Sequence, residues 1–293
     1  MAVKRITIIG LGLIGGSLGL ALKRARGDEL EIIGFARRSE TAAEAVRQGA
    51  VDRTEAQLAQ AVSGADIIVI ATPVTTMKDI FLKIAEHLSP NSIVTDTGST
   101  KAQVLEWAQE YLPSTVSFIG GHPMTGKETS GIDEAEASLL KDCVYCLTPA
   151  QNASQEASKA MEKLVEWVEA RPLFFDAQMH DELVAGVSHL PILLSSALIS
   201  ALARSPLWPQ MAELAATGYR DMTRLASGSP ELNRDICFTN QSAIIDWIGL
   251  YIKELKEYRR LVLNGDQELE KSLRDAQEMR QKWLENEGRR FKK

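Results

Sequence analysis

Along residues 1–175, short apolar runs alternate with segments whose apolar positions recur at helical spacing. Strand-like runs fall at 3–10, 30–36, 65–71, 92–97, 118–121, 144–147 and 173–175. Helical spacing occupies 13–26, 40–48, 77–87, 101–111 and 154–169, with Pro113 closing the fourth of these. The run at 65–71 is apolar almost throughout, as in a strand covered on both faces. Strands alternating with helices of about ten residues predict βαβ units and a parallel sheet. After Asp176 the strand-like runs stop. Residues 180–203 are apolar on nearly every side, which predicts a helix buried in a bundle or an interface. Pro191 is expected to kink or break it. Further helices are expected at 213–226, 231–264 and 267–288, the last heavily charged. The pattern thus predicts a doubly wound α/β domain over residues 1–176 and an all-helical domain over 177–293.

Composition narrows the classes. Of 293 residues, 45% are hydrophobic and 25% charged, which excludes disorder as the main state. A net charge of −6 with mixed signs gives no general attraction to nucleic acid or to an anionic membrane. Three cysteines argue against a disulfide framework. Cys143 and Cys146 form a C-x-x-C, but within a strand they point to opposite faces, so no metal site is expected. No signal peptide is visible. The greasiest stretch, 190–203, is interrupted by a proline and serines and reads as too short to span a bilayer. These features predict a cytoplasmic enzyme.

Gly10-Leu11-Gly12-Leu13-Ile14-Gly15 is a G-x-G-x-x-G placed after a strand and opening a helix. In that setting Gly10 permits the tight turn, Gly12 a close approach to a pyrophosphate, and Gly15 close helix–strand packing. The free N–H groups of the helix start, at Leu13 and Ile14, would meet the phosphates. This makes the first domain Rossmann-type. Thr72 and Pro73, after the run at 65–71, join the expected cofactor set. At the end of the second strand an NAD site normally carries a carboxylate for the ribose 2′-hydroxyl. Here the chain continues Arg37-Arg38-Ser39. Two guanidiniums and a hydroxyl suit a 2′-phosphate, so NADP is expected over NAD.

Chemistry-bearing residues cluster after later strands. In Gly121-His122-Pro123-Met124-Thr125-Gly126, a histidine held in a loop is poised for proton transfer. Asp96-Thr97-Gly98-Ser99-Thr100-Lys101 also follows a strand. Ser99 could orient a hydroxyl, and Lys101 is either catalytic or, the favoured reading, a first-turn helix lysine. His189, inside an apolar helix, reads first as a buried histidine bonded to a neighbour. Arg220 and Arg224, four apart on one helix face, offer a carboxylate clamp. His87 and His180 read as surface or capping residues and receive no role.

Together these segments resemble the prephenate/arogenate dehydrogenases of tyrosine biosynthesis. The matching pieces are Gly10 to Ser17, Asp96 to Lys101, Gly121 to Gly126, Ser188-His189-Leu190-Pro191 and Arg220 to Arg224. The resemblance implies oxidative decarboxylation of a cyclohexadienol. It casts His122 as the acceptor of the ring hydroxyl proton, Ser99 as its orienting partner, Arg224 as the ring-carboxylate clamp and His189 as a wall of the site. It also implies a homodimer built through the helical domain. Many members carry a regulatory C-terminal domain or a fused mutase, and neither is expected here. Lys127, Glu128 and Asp133 lie on the loop expected to meet the substrate side chain. An acid there would favour the ammonium of arogenate, and Lys127 the keto-acid of prephenate. The NADP-type pocket leans towards arogenate, with the choice left open. Two other readings are a β-hydroxyacid or 6-phosphogluconate-type dehydrogenase, and a non-catalytic NADP-binding sensor.

Overall fold

Strand β1 (Arg5–Ile9) is built of alternating and branched apolar residues, with Ile6, Ile8 and Ile9 buried. It pairs in parallel with β2 (Glu31–Phe35) on one side and β4 (Ile67–Ile70) on the other. The short β3 (Arg53–Thr54) extends the β2 edge, and β5 (Ile93–Asp96) and β6 (Ser117–Pro123) extend the β4 side, all parallel. The computed structural model describes residues 3–286, and within them these strands join one eight-stranded sheet of order β3-β2-β1-β4-β5-β6-β7-β8.

The last two strands depart from the expectation of a wholly parallel sheet. β7 (Val144–Pro149) runs antiparallel to β6, placing His122 opposite Cys146, and β8 (Arg171–Phe174) then runs parallel to β7. The reason lies in the connection. Residues 124–143 contain only the 3₁₀ turn Ile132–Glu134 and no crossover helix, so the chain returns beside β6 in the opposite sense. This ladder also corrects the placing of His122. It lies within a strand, not in a loop, because pairing with β7 continues to Pro123 opposite Tyr145.

Both faces of the sheet are covered. Ile67 and Val69 of β4 pack with Ile6, Ile8, Leu18 and Leu22 on one face, where α1 (Leu13–Arg26) and α6 (Gln155–Trp167) lie. Ile68 and Ile70 pack with Phe81, Val94, Val104 and Ala108 on the other, under α4 (Met77–Ile84) and α5 (Ala102–Tyr111). The two-residue period of a strand explains this division. α2 (Ser39–Arg47) and α3 (Leu58–Val62) complete the crossovers on the β2–β3 side.

The chain then forms α7 (Ala177–Val184), a π-helical turn (Ala185–His189) and α8 (Leu190–Ala203) as one continuous run. The N–H of Leu190 bonds the carbonyl of Ala185 just before Pro191, so the proline is met by a widened turn. This run, Ala177–Ala203, has 27 residues and a mean hydropathy of 1.8, long and apolar enough to cross a membrane. The stretch 190–203 read as too short because its helix begins thirteen residues earlier. Its first turns are nevertheless tied to the sheet domain, since the Asp181 carboxylate accepts the N–H of Lys101 at 2.8 Å and of Ala102 at 2.9 Å.

α9 (Trp208–Leu214), α10 (Thr217–Thr223), a 3₁₀ turn (Arg224–Ser227) and α11 (Pro230–Thr239) follow. The helix expected at 213–226 is therefore divided, and Arg220 and Arg224 do not share one helix. The helix expected at 231–264 breaks at Asn240, after which α12 (Gln241–Asn264) and α13 (Glu268–Asn286) continue. The expected end of the last helix at Gly288 lies outside the described residues. The chain divides into two compact units, Met1–Gln241 and Ser242–Lys293.

Candidate active site

The glycine motif occupies the point where the strand order reverses, between β1 and β4. Gly10 has a φ of 96°, and a side chain there would meet the Ala71 carbonyl at 2.5 Å. A side chain on Gly15 would overlap the Gly10 carbonyl oxygen, so only glycine lets α1 sit this close to β1. Gly12 differs. A Cβ there would meet nothing within 4 Å, leaving open space over the start of α1. No side chain caps that helix, and its first turn holds no acid. The free N–H groups of Leu13 and Ile14 thus face a space suited to an anion. The cradle fits a dinucleotide pyrophosphate.

Beyond β2, Arg37, Arg38 and Ser39 are exposed. Among the described residues neither guanidinium pairs with a carboxylate. Thr72 lies against Gly10, and its hydroxyl bonds that of Thr76 at 2.8 Å; the exposed Pro73 follows.

His122, only 8% exposed, sits at the carboxyl end of β6. Its Nδ1 lies 3.0 Å from Nε2 of His180, and Nδ1 of His180 lies 2.8 Å from Oδ1 of Asp181. Burial holds His122 well below the ordinary histidine pKa, and the nearby charges of His180, Lys101 and His189 push the same way. The ring is therefore neutral near pH 7 and able to accept a proton.

Beneath it, Asp96 and Lys101 form a fully buried ion pair. The Lys101 ammonium also donates to the Gly121 carbonyl at 2.6 Å, while the Gly121 N–H donates to Asp96 Oδ1 at 3.1 Å. The N–H of Gly98 donates to Asp96 Oδ2 at 2.7 Å. The pair thus pins the peptide preceding His122 to the end of β5. Burial lowers the Lys101 pKa, with Asp96 opposing.

Ser99 lies in the same loop, half-buried, and its hydroxyl has no protein partner among the described residues. His189 is 1% exposed, and its Nδ1 lies 3.2 Å from Nδ2 of Asn240, which also donates to the Asp181 carbonyl at 2.7 Å. Arg224 forms an ion pair with Glu128. Lys127 instead turns to the Glu134 carbonyl at 3.0 Å and the Glu136 carboxylate at 3.1 Å. That 3₁₀ turn packs on α1 through Ile132, against Gly16, and carries Asp133 within electrostatic reach of Arg47 on α2. Arg220 is exposed and, among the described residues, pairs only with its neighbour Asp221, at 3.4 Å.

Sequence reasoning missed His180, Asp181, Asn240 and Asp96. His180 is not a surface residue; it is 1% exposed and bonds His122 directly. Lys101 stands at the start of α5, as a helix lysine should, but its side chain is fully buried against Asp96.

A glycine cradle at the switch point and a buried, neutral histidine at the carboxyl end of the sheet define a Rossmann-type dinucleotide-binding dehydrogenase. Residues 18–173 match the family model for the prephenate dehydrogenase nucleotide-binding domain, and residues 176–278 that for its dimerization domain. Prephenate dehydrogenase of Bacillus subtilis is 34% identical over 94% of this chain and 77% of its own. The Synechocystis arogenate dehydrogenase structure is 34% identical, covers 95% of this chain and 99% of its own, and superposes with a TM-score of 0.83. Prephenate dehydrogenase from A. aeolicus, solved with hydroxyphenyl propionate and NAD+, is 26% identical over 96% of this chain and 99% of its own, with a TM-score of 0.89. The chain belongs to the prephenate/arogenate dehydrogenase family.

Proposed function

We propose that this chain catalyses NADP-dependent oxidative decarboxylation of arogenate, prephenate or both, giving tyrosine or 4-hydroxyphenylpyruvate. The observation that carries the reading is His122, buried, held neutral, and bonded, among the described residues, through one ring nitrogen to His180. The other nitrogen takes the proton of the ring hydroxyl. The bound nicotinamide supplies the hydride acceptor. Ser99 orients the hydroxyl, and Arg224 holds the ring carboxylate until carbon dioxide leaves and the ring aromatises. His189 closes the site from the helical side. Because aromatisation drives the reaction, one base and one carboxylate clamp suffice; the clamp acts on affinity and the base on turnover.

Two features support the finer assignments. Arg37 and Arg38 follow β2, where a 2′-phosphate is expected, and pair with no carboxylate among the described residues, which favours NADP although the A. aeolicus relative was solved with NAD+. Lys127 is committed to Glu134 and Glu136, whereas Glu128, beside Arg224, is the acid that would meet the ammonium of arogenate. Residues 1–176 act as the dinucleotide domain and 177–293 as the substrate and dimerisation domain of a cytoplasmic homodimer. In support of the dimer, α8 is apolar all round yet buries only Leu190 and Ser195 within one chain. Exposed Ile245, Leu250, Ile252 and Leu255 on α12 also await cover.

The test is an absorbance assay at 340 nm offering arogenate and prephenate, each with NADP and NAD. Turnover with arogenate and NADP, lost in His122→Ala, is the expected result. Prephenate turnover alone would keep the mechanism and reject the side-chain assignment. No turnover with either would refute the reading.

A further inference from the structure

Three of the four histidines in the chain share one buried hydrogen-bond network, and its fixed donors and acceptors dictate where each proton sits. The starting point is Asp181. Its carboxylate accepts two backbone N–H groups at the start of α5, and Oδ1 lies 2.8 Å from His180 Nδ1. A carboxylate only accepts, so His180 carries its proton on Nδ1. With its ring proton there, His180 presents the lone pair of Nε2. The partner of that lone pair, His122 Nδ1 at 3.0 Å, must be the donor. This leaves the His122 Nε2 without a proton.

Asn240 works in the opposite sense. Its amide nitrogen is identified by donation to the Asp181 carbonyl at 2.7 Å. The second N–H of that nitrogen faces His189 Nδ1 at 3.2 Å, which must therefore accept. The His189 proton is on Nε2, and this buried N–H has no partner among the described residues.

We propose that Asp181, His180 and Asn240 are positioning residues that fix the two site histidines in opposite tautomers: His122 presents an Nε2 lone pair, and His189 an Nε2–H. The first is a base; the second is a donor for a carboxylate or carbonyl oxygen of the ligand. Only this last assignment rests on the proposed reaction. Burial holds both rings below the ordinary histidine pKa, consistent with neutral imidazoles whose tautomers are defined. When His122 Nε2 takes a proton, the charge formed lies one ring away from the Asp181 carboxylate, and no proton need leave the network.

The test is a long-range ¹H–¹⁵N correlation spectrum of histidine-labelled, ligand-free enzyme at pH 7.5. Four imidazoles are assigned by single His→Gln variants. His122 and His180 are expected as Nδ1–H tautomers and His189 as Nε2–H. His180→Phe keeps a ring in the same space and removes the lone pair that faces His122 Nδ1. His122 then loses the acceptor that fixes its proton on Nδ1 and moves to the Nε2–H form. The variant's kcat should fall about 10²–10⁴-fold, the usual worth of general base catalysis, with substrate KM nearly unchanged. Asn240→Asp, an acceptor in place of a donor, should move His189 to Nδ1–H. A wild-type His122 in the Nε2–H form, or a His180→Phe spectrum with His122 unmoved, would overturn the proposal. The expected tautomers without turnover of either substrate would uphold the network and reject only the reaction.

Discussion

Lowering the pH should destabilise this protein through His189 before its carboxylates matter. His189 is held at about 4, against an ordinary 6.5; burial lowers it, Asp181 opposes, and His180 adds to the fall. The folded state therefore binds fewer protons than the unfolded state between those two values. Stability is full above pH 6.5 and falls as the pH drops towards 4. From the two values, the loss between pH 7.5 and pH 5 is about 2 kcal/mol, approaching about 3 kcal/mol at the acid limit. His122 contributes in the same direction. The assay is urea unfolding at pH 7.5 and pH 5.0 of wild type and His189→Gln. Glutamine keeps an acceptor for Asn240 but does not titrate. The wild type should lose about 2 kcal/mol more than the variant across this interval, since carboxylate effects are common to both. Equal losses would refute the assignment of His189 as a buried neutral ring.

Other outcomes follow from the same geometry. Gly12→Ala should leave the melting temperature unchanged, because the new methyl meets nothing, yet raise the dinucleotide KM steeply by filling the phosphate space; Gly15→Ala should lower stability itself. Lys101→Met strands Asp96 as a buried charge and should cost about 3–5 kcal/mol in chemical denaturation. Arg37→Ala with Arg38→Ala should raise the KM for NADP about 10- to 100-fold, for about 1.5–3 kcal/mol of charge-assisted bonding, and leave that for NAD unchanged. The acid limb of kcat/KM, set by His122 among His180, Lys101 and His189, should fall below pH 6.5; a limb at or above that value would contradict its burial.

The alternation of strand and helix was legible because a strand buried on both faces has no choice but to be apolar, as in β4. The cradle was legible because only glycine fits at 10 and 15. β3 was not, since Arg53 and Thr54 have no apolar pattern and become a strand only by pairing with β2. The sense of β7 was not, because strand direction depends on the connection. His180 escaped notice for a related reason. A histidine at the start of an apolar helix reads as a surface or capping residue, but its neighbour Asp181 spends its carboxylate on the start of α5, about 80 residues away in sequence, and draws the ring inward. Lys101 does begin a helix, as read; its long side chain folds back to Asp96, and the D-x-x-x-x-K spacing was the available signal.

The π turn shows why such a network escapes sequence periodicity altogether. His180 and His189 are nine residues apart, or 2.5 turns at about 3.6 residues per turn, so a regular α-helix would point them to opposite sides. The widened turn at Ala185–His189 takes up part of that rotation. Both rings then reach groups gathered around Asp181: His180 its carboxylate, His189 the Asn240 amide that donates to its carbonyl. Pro191 is suited to this position because it lacks an N–H, so the regular bond to Val187 is not needed. The proline in Ser188-His189-Leu190-Pro191 thus supports more than a kink. It favours the one irregular turn that lets a single helical run supply the base's support and the opposing donor together.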